Sequence, residues 1–194
     1  MLEAMKAIIN PDVVMDYDTA EKKLKLNEDG KESKIKQLSI THMPDKALAF
    51  TLDHQPKRDR QKFKQLSLYV NSQNDQGVNK GCDLIILWQE AEQTRALVFD
   101  LKSDRPKPEA TQRQLDNSAL FLKYLLSMAE VHYQVDVNNP IIKKAIVTTN
   151  IRNANKRPTH QPNAKPQQPD QFKVVRVNAK PSRTATVSFL ELTR

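Results

Sequence analysis

Glycine, cysteine and long apolar runs are all scarce in this chain, and each scarcity removes a class of function. Only three glycines occur in 194 residues, Gly30, Gly77 and Gly81. None sits in a phosphate-cradling loop, so P-loop and dinucleotide-binding readings fail. Cys82 is the only cysteine, which excludes a disulfide framework and a zinc site built on cysteines. A reducing, cytoplasmic setting fits. No apolar run approaches the ~18 residues of a membrane span, and the N-terminus lacks the apolar core of a signal peptide, so no membrane association is expected. The four histidines, His42, His54, His132 and His160, are scattered without a pair at ligand spacing. They read as surface or hydrogen-bonded residues, and there is no internal repeat.

Charge is abundant. The 31 Lys and Arg outnumber 23 Asp and Glu, a formal charge of +8, which favours a polyanionic partner through counterion release and steering. The length suits one sizeable core, so residues 1–194 are expected to form a single domain.

The most informative stretch is Gly81 to Ser103, GCDLIILWQEAEQTRALVFDLKS. Residues 82–88 and 95–102 are short, apolar and separated by a polar connector, which predicts two antiparallel strands. A two-residue turn at Ala91-Glu92 makes paired residue numbers add to 183, setting Asp83 opposite Asp100. Lys102, two residues on, shares their face. Like charges opposed at a strand end are unfavourable alone, and a divalent cation between them removes the objection, since Mg²⁺ takes oxygen ligands from one or two carboxylates. A register slip of one residue would separate the two aspartates.

Along the rest of the chain, residues 2–9 predict a short helix ended by Asn10-Pro11. The charged segment AEKKLKLNEDGKES fits either a helix or a hairpin turning at Asp29-Gly30. Residues 35–42 and 47–53 predict a hairpin whose second strand ends in Asp53, with a turn at Met43-Pro44-Asp45-Lys46. Residues 55–65 hold Lys57, Arg58, Arg60, Lys62 and Lys64 against Asp59 alone, a phosphate-contacting loop or the start of a helix burying Phe63, Leu66 and Val70, weighed against a merely solvated charged face. After an extended Asp104–Pro108 connector, Leu115, Ala119, Leu122, Leu126 and Ala129 predict a helix from Glu109 to about His132. Residues 141–148 predict another strand. Residues 150–171, rich in Asn, Gln and Pro and carrying Arg152, Lys156 and Arg157, read as a long mobile loop of a kind that is often functional. Residues 172–177 and 185–192 predict closing strands in a final hairpin.

An aspartate (Asp83), then a strand ending Asp100-Leu101-Lys102, then a helix resembles the PD-(D/E)XK nuclease superfamily, the restriction-endonuclease-like fold. The resemblance covers about residues 35–148. It implies an α/β (α+β) protein with a mixed central sheet flanked by helices, in the order helix, three strands, helix, strand. Acidic-x-Lys also occurs at Glu21/Lys23, Asp29/Lys31 and Glu32/Lys34, but only Asp100 and Lys102 end a strongly apolar strand. Cys82 stands where the family name has proline, and Asp100 where glutamate is commoner.

The resemblance implies a Mg²⁺-dependent endonuclease, with Mn²⁺ as a substitute. Asp83, Asp100 and the Leu101 backbone carbonyl would be metal ligands, and Lys102 would position or activate the attacking water. Asp53 is a candidate third carboxylate, weighed against a turn residue or cap. Gln114 is a candidate helix residue pointing to the site, weighed against solvent exposure. Nucleic acid, DNA ahead of RNA, would be held by the basic runs, and a homodimer or an assembly with a motor or sensor subunit in defence or repair fits family habit. The rival readings are a non-catalytic nucleic-acid-binding or scaffolding subunit of the same fold, and a basic RNA-associated protein.

Overall fold

The computed structural model describes residues 1–30, 32–54, 66–71, 73–102, 107–137, 139–149 and 172–194. The basic residues Lys57, Arg58, Arg60, Lys62, Lys64, Arg152, Lys156 and Arg157, and the expected 150–171 loop, lie outside them.

Strands buried on both faces read as continuous apolar runs, and two such runs form the centre of the molecule. Strand β5 (Leu84–Glu90) pairs antiparallel with β6 (Gln93–Lys102). Ala91 and Glu92, both in the left-handed region (φ 45° and 67°), join them, as a tight two-residue hairpin requires. The ladder runs from Glu90↔Gln93 to Leu84↔Phe99, so every pair adds to 183, as the sequence predicts.

Around this hairpin a six-stranded mixed sheet has the order β1 (Val14–Met15), β4 (Ala47–Phe50), β5, β6, β7 (Ile141–Thr149), β8 (Lys173–Val177). Neighbours along β1, β4, β5 and β6 pair antiparallel, while β6, β7 and β8 run parallel. The parallel step from β6 to β7 is made through helix α2 (Pro108–Tyr133), as a parallel connection demands a crossover. Pro108 occupies the first helical turn, where its missing N–H costs nothing.

Side chains alternate across β5 and β6 and so feed two cores. Ile85, Leu87, Ala96 and Val98 pack against α1 (Leu2–Ile8) and α2. Leu84, Ile86, Trp88, Leu97 and Phe99 pack against a second, three-stranded sheet of order β2 (Lys23–Asn27), β3 (Gln37–Thr41), β9 (Thr184–Ser188). The short helix α3 (Phe189–Thr193) closes that side, with Phe189 edge-on to Trp88 at 5.0 Å. The architecture is a mixed α/β one with two mixed sheets and few helices. The two longer helices share one face of the central sheet, and the other face carries a sheet in place of flanking helices.

Three expectations are corrected. Residues 35–42 and 47–53 do not form a hairpin. Strand β3 has one buried face and joins the outer sheet, whereas β4 carries buried Leu48, Ala49 and Phe50 in succession and needs the central one. The charged segment before them supplies β2, antiparallel to β3, with Asp29-Gly30 in the connector. The closing strands do not pair with each other either, since β8 extends the central sheet beside β7 and β9 runs parallel to β3. Finally, the chain leaves the strand at Ser188. Leu192 follows Phe189 by three residues, a helical spacing that breaks strand alternation. Among the described residues no helix is long and apolar enough to cross a membrane.

Candidate active site

The turn sets the chemistry at the far end of its hairpin. A two-residue loop closes on a hydrogen-bonded pair, and pair types then alternate along the ladder. Counting from Glu90↔Gln93, position 83/100 is a non-hydrogen-bonded pair, the kind whose side chains approach most closely. Asp83 and Asp100 accordingly lie close enough for the charge of Asp100 to raise the proton affinity of Asp83.

One step further, at 82/101, regular pairing would exchange two backbone hydrogen bonds. Both amides are diverted to side chains. Leu101 N–H donates to Asp83 Oδ2 at 2.6 Å, and Cys82 N–H donates to Ser118 Oγ at 2.8 Å. The ladder opens at this point, and the Leu101 carbonyl, which faces the same side as its amide, loses the donor a continued ladder would bring.

Asp100 is fully buried. Its Oδ2 forms an ion pair with Lys102 Nζ, which also donates to Gln114 Oε1 at 2.9 Å. Gln114 Nε2 in turn donates to the Gly81 carbonyl at 2.6 Å. One turn later on α2, Ser118 holds Cys82. Helix α2 thus grips the chain at two consecutive residues before Asp83. Gly81 has to be small here, because a Cβ would lie 3.0 Å from both Leu52 Cβ and Leu66 Cδ2.

Burial, then the charge of Asp100, raises the proton affinity of Asp83 well above the ordinary carboxylate value, against the Leu101 amide. Burial likewise raises that of Asp100, although Lys102 opposes it. The Cys82 thiol is pushed up to about 12, first by burial and then by the two carboxylates, so it is no nucleophile. When both are ionised, two enclosed carboxylates against one ammonium carry a net negative charge at an opened strand end, which a bound cation would offset. This donor set fits a divalent, oxygen-loving cation, although among the described residues no three His, Cys, Asp or Glu side chains converge on one point.

Beyond Asp83 lies an open cleft of about 610 Å³, lined also by Asp12, Lys25, Glu28, Asp53 and His54. Asp53 therefore reaches the same cleft as Asp83, from an exposed position where its own amide donates to Thr51 Oγ1. Asp100 and Lys102 do not line it. Gln114, for which solvent exposure was the competing expectation, instead points into the site. Ser118 is a site residue with no counterpart in the sequence reading. The available signal was the spacing of two polar residues, 114 and 118, along the border of the apolar stripe that contains Leu115 and Leu122. The three other acidic-x-Lys pairs begin at exposed acids, Glu21, Asp29 and Glu32. Comparison with family models, curated proteins and solved structures gives no match.

Proposed function

We propose that the chain is a metal-dependent phosphodiesterase acting on nucleic acid, DNA ahead of RNA, as an endonuclease of the PD-(D/E)XK, restriction-endonuclease-like kind. The observation that carries this reading is the single-face cluster of Asp83, Asp100 and Lys102 at a strand end whose backbone pairing has opened. The antiparallel succession β4, β5, β6, followed by crossover helix α2 and parallel β7, agrees with the fold order such enzymes use.

Asp83, Asp100 and the Leu101 carbonyl would hold Mg²⁺, with Mn²⁺ as substitute. Bound there, the ion would lower the pKa of a water and neutralise charge on the scissile phosphate. Lys102 would orient that water, a role suited to an ammonium held between Asp100 and Gln114. The net charge of +8 would attract the phosphate backbone, with the basic runs at 57–64 and 152–157 as contacts. A cytoplasmic role in defence or repair, beside a motor or sensor subunit, remains part of the proposal.

The specific observation behind a second reading is that Asp100, Lys102 and Gln114 already form a closed ion-pair network, which a non-catalytic subunit would also tolerate. Labelled single- and double-stranded DNA and RNA, incubated with and without Mg²⁺ or Mn²⁺, separate the two. Metal-dependent cleavage supports the enzyme. Binding without cleavage supports the rival.

A further inference from the structure

Helix α2 is apolar on two opposite sides. Leu115, Leu122, Leu126 and Ala129 are buried toward the sheet, whereas Leu120, Tyr124 and Val131 are 64%, 60% and 73% exposed. At 3.6 residues per turn, positions 120, 124, 127 and 131 fall on one outward stripe with the alternating four-three spacing of a coiled-coil seam. Exposed Ser127 completes it. Partly buried Phe121 and Met128 border one flank of the stripe, and exposed Lys123 and Glu130 border the other. Among the described residues, neither Lys123 nor Glu130 has an ion-pair partner.

We propose that this stripe is a homodimer seam, on which α2 of a second copy of the chain packs antiparallel. The stripe is self-complementary. In antiparallel packing each outer position meets the same flank of its partner, and one register satisfies every position. Leu120 meets the partner's Val131, and Tyr124 meets the partner's Ser127. In that register Phe121 lies against the partner's Met128 on the apolar flank. On the charged flank Lys123 lies against the partner's Glu130. Two-fold symmetry makes each contact twice. A parallel arrangement would instead oppose the charged flank to the apolar one. Ser127, small and central, lets the two helices approach. The seam is independent of the nuclease reading, because it lies on the side of α2 away from the sheet.

Sedimentation velocity on the full chain across a dilution series tests it. The wild type is expected to be a concentration-dependent dimer, and Tyr124→Glu a monomer with unchanged far-ultraviolet circular dichroism. Lys123→Glu is expected to raise the dimer Kd about tenfold, ~1.4 kcal/mol, and adding Glu130→Lys in the same chain to restore it. The charge variants keep the test valid should Tyr124→Glu disturb folding. A wild type that stays monomeric throughout, a dimer indifferent to Tyr124→Glu, or a charge reversal that fails to rescue overturns the proposal.

Discussion

The backbone amide of Leu101 points at Asp83, not at the residue opposite it in the ladder. The 2.6 Å hydrogen bond to Asp83 Oδ2 lets a side chain take over the last backbone contact of β5 and β6. It anchors Asp83 beside Asp100 although the two carboxyls repel when ionised.

That repulsion has a sign in stability. Both folded-state proton affinities are raised, so each carboxyl contributes stability that is fully present below its unfolded value and lost as pH rises through its raised folded value. Without metal, wild-type stability should therefore fall as pH rises through that window. Asp83→Asn should remove most of the fall and be more stable than the wild type at neutral pH. Mg²⁺ should stabilise the wild type and not the variant. Thermal melts at several pH values, with and without Mg²⁺, measure both effects.

Gln114→Ala removes one of the two partners of Lys102, leaving Asp100, and with it the donor to the Gly81 carbonyl. A stability cost of about 1–3 kcal/mol is expected from the groups left unpaired, with a loss of activity beyond what the fraction unfolded explains. Gln114→Glu keeps an acceptor for Lys102 but cannot donate to Gly81 when ionised, so it should recover more activity than stability. Urea titration beside rate measurement separates the two.

Ser118→Ala strands the buried Cys82 amide, and Gly81→Ala forces a Cβ to within 3.0 Å of Leu52 and Leu66. Each is expected to cost about 1–3 kcal/mol. Denaturant midpoints test this, and an unchanged midpoint in either would mean that α2 does not grip the chain as described.

The turn offers a gain. Ala91 and Glu92 hold left-handed angles that Asn and Gly adopt more readily. Ala91→Asn with Glu92→Gly is expected to raise stability by about 1 kcal/mol, read as a higher melting temperature. A loss would contradict the register.

The central hairpin and the shared face of Asp83, Asp100 and Lys102 were legible because a two-residue turn leaves one register for apolar runs of that length. Helix α2 was legible from its apolar spacing, and α1 from the Asn10-Pro11 stop that ends it. The choice of strand partners was not. The alternation in β3, β8 and β9 says that one face is buried, but a local pattern carries no record of which distant edge will cover it. Gln114 sits where the apolar stripe meets the polar side of α2, and only the position of Gly81, 33 residues earlier, decides which way it turns.

Metal-dependent cleavage of labelled DNA by wild type, Asp100→Ala and Lys102→Ala, with folding checked by circular dichroism, tests the central claim most directly. Mg²⁺-dependent cleavage is expected of the wild type, with losses on the order of 10²-fold or more in both variants. Undiminished cleavage by either folded variant, or no cleavage of any nucleic acid by the wild type in Mg²⁺ or Mn²⁺, would contradict it.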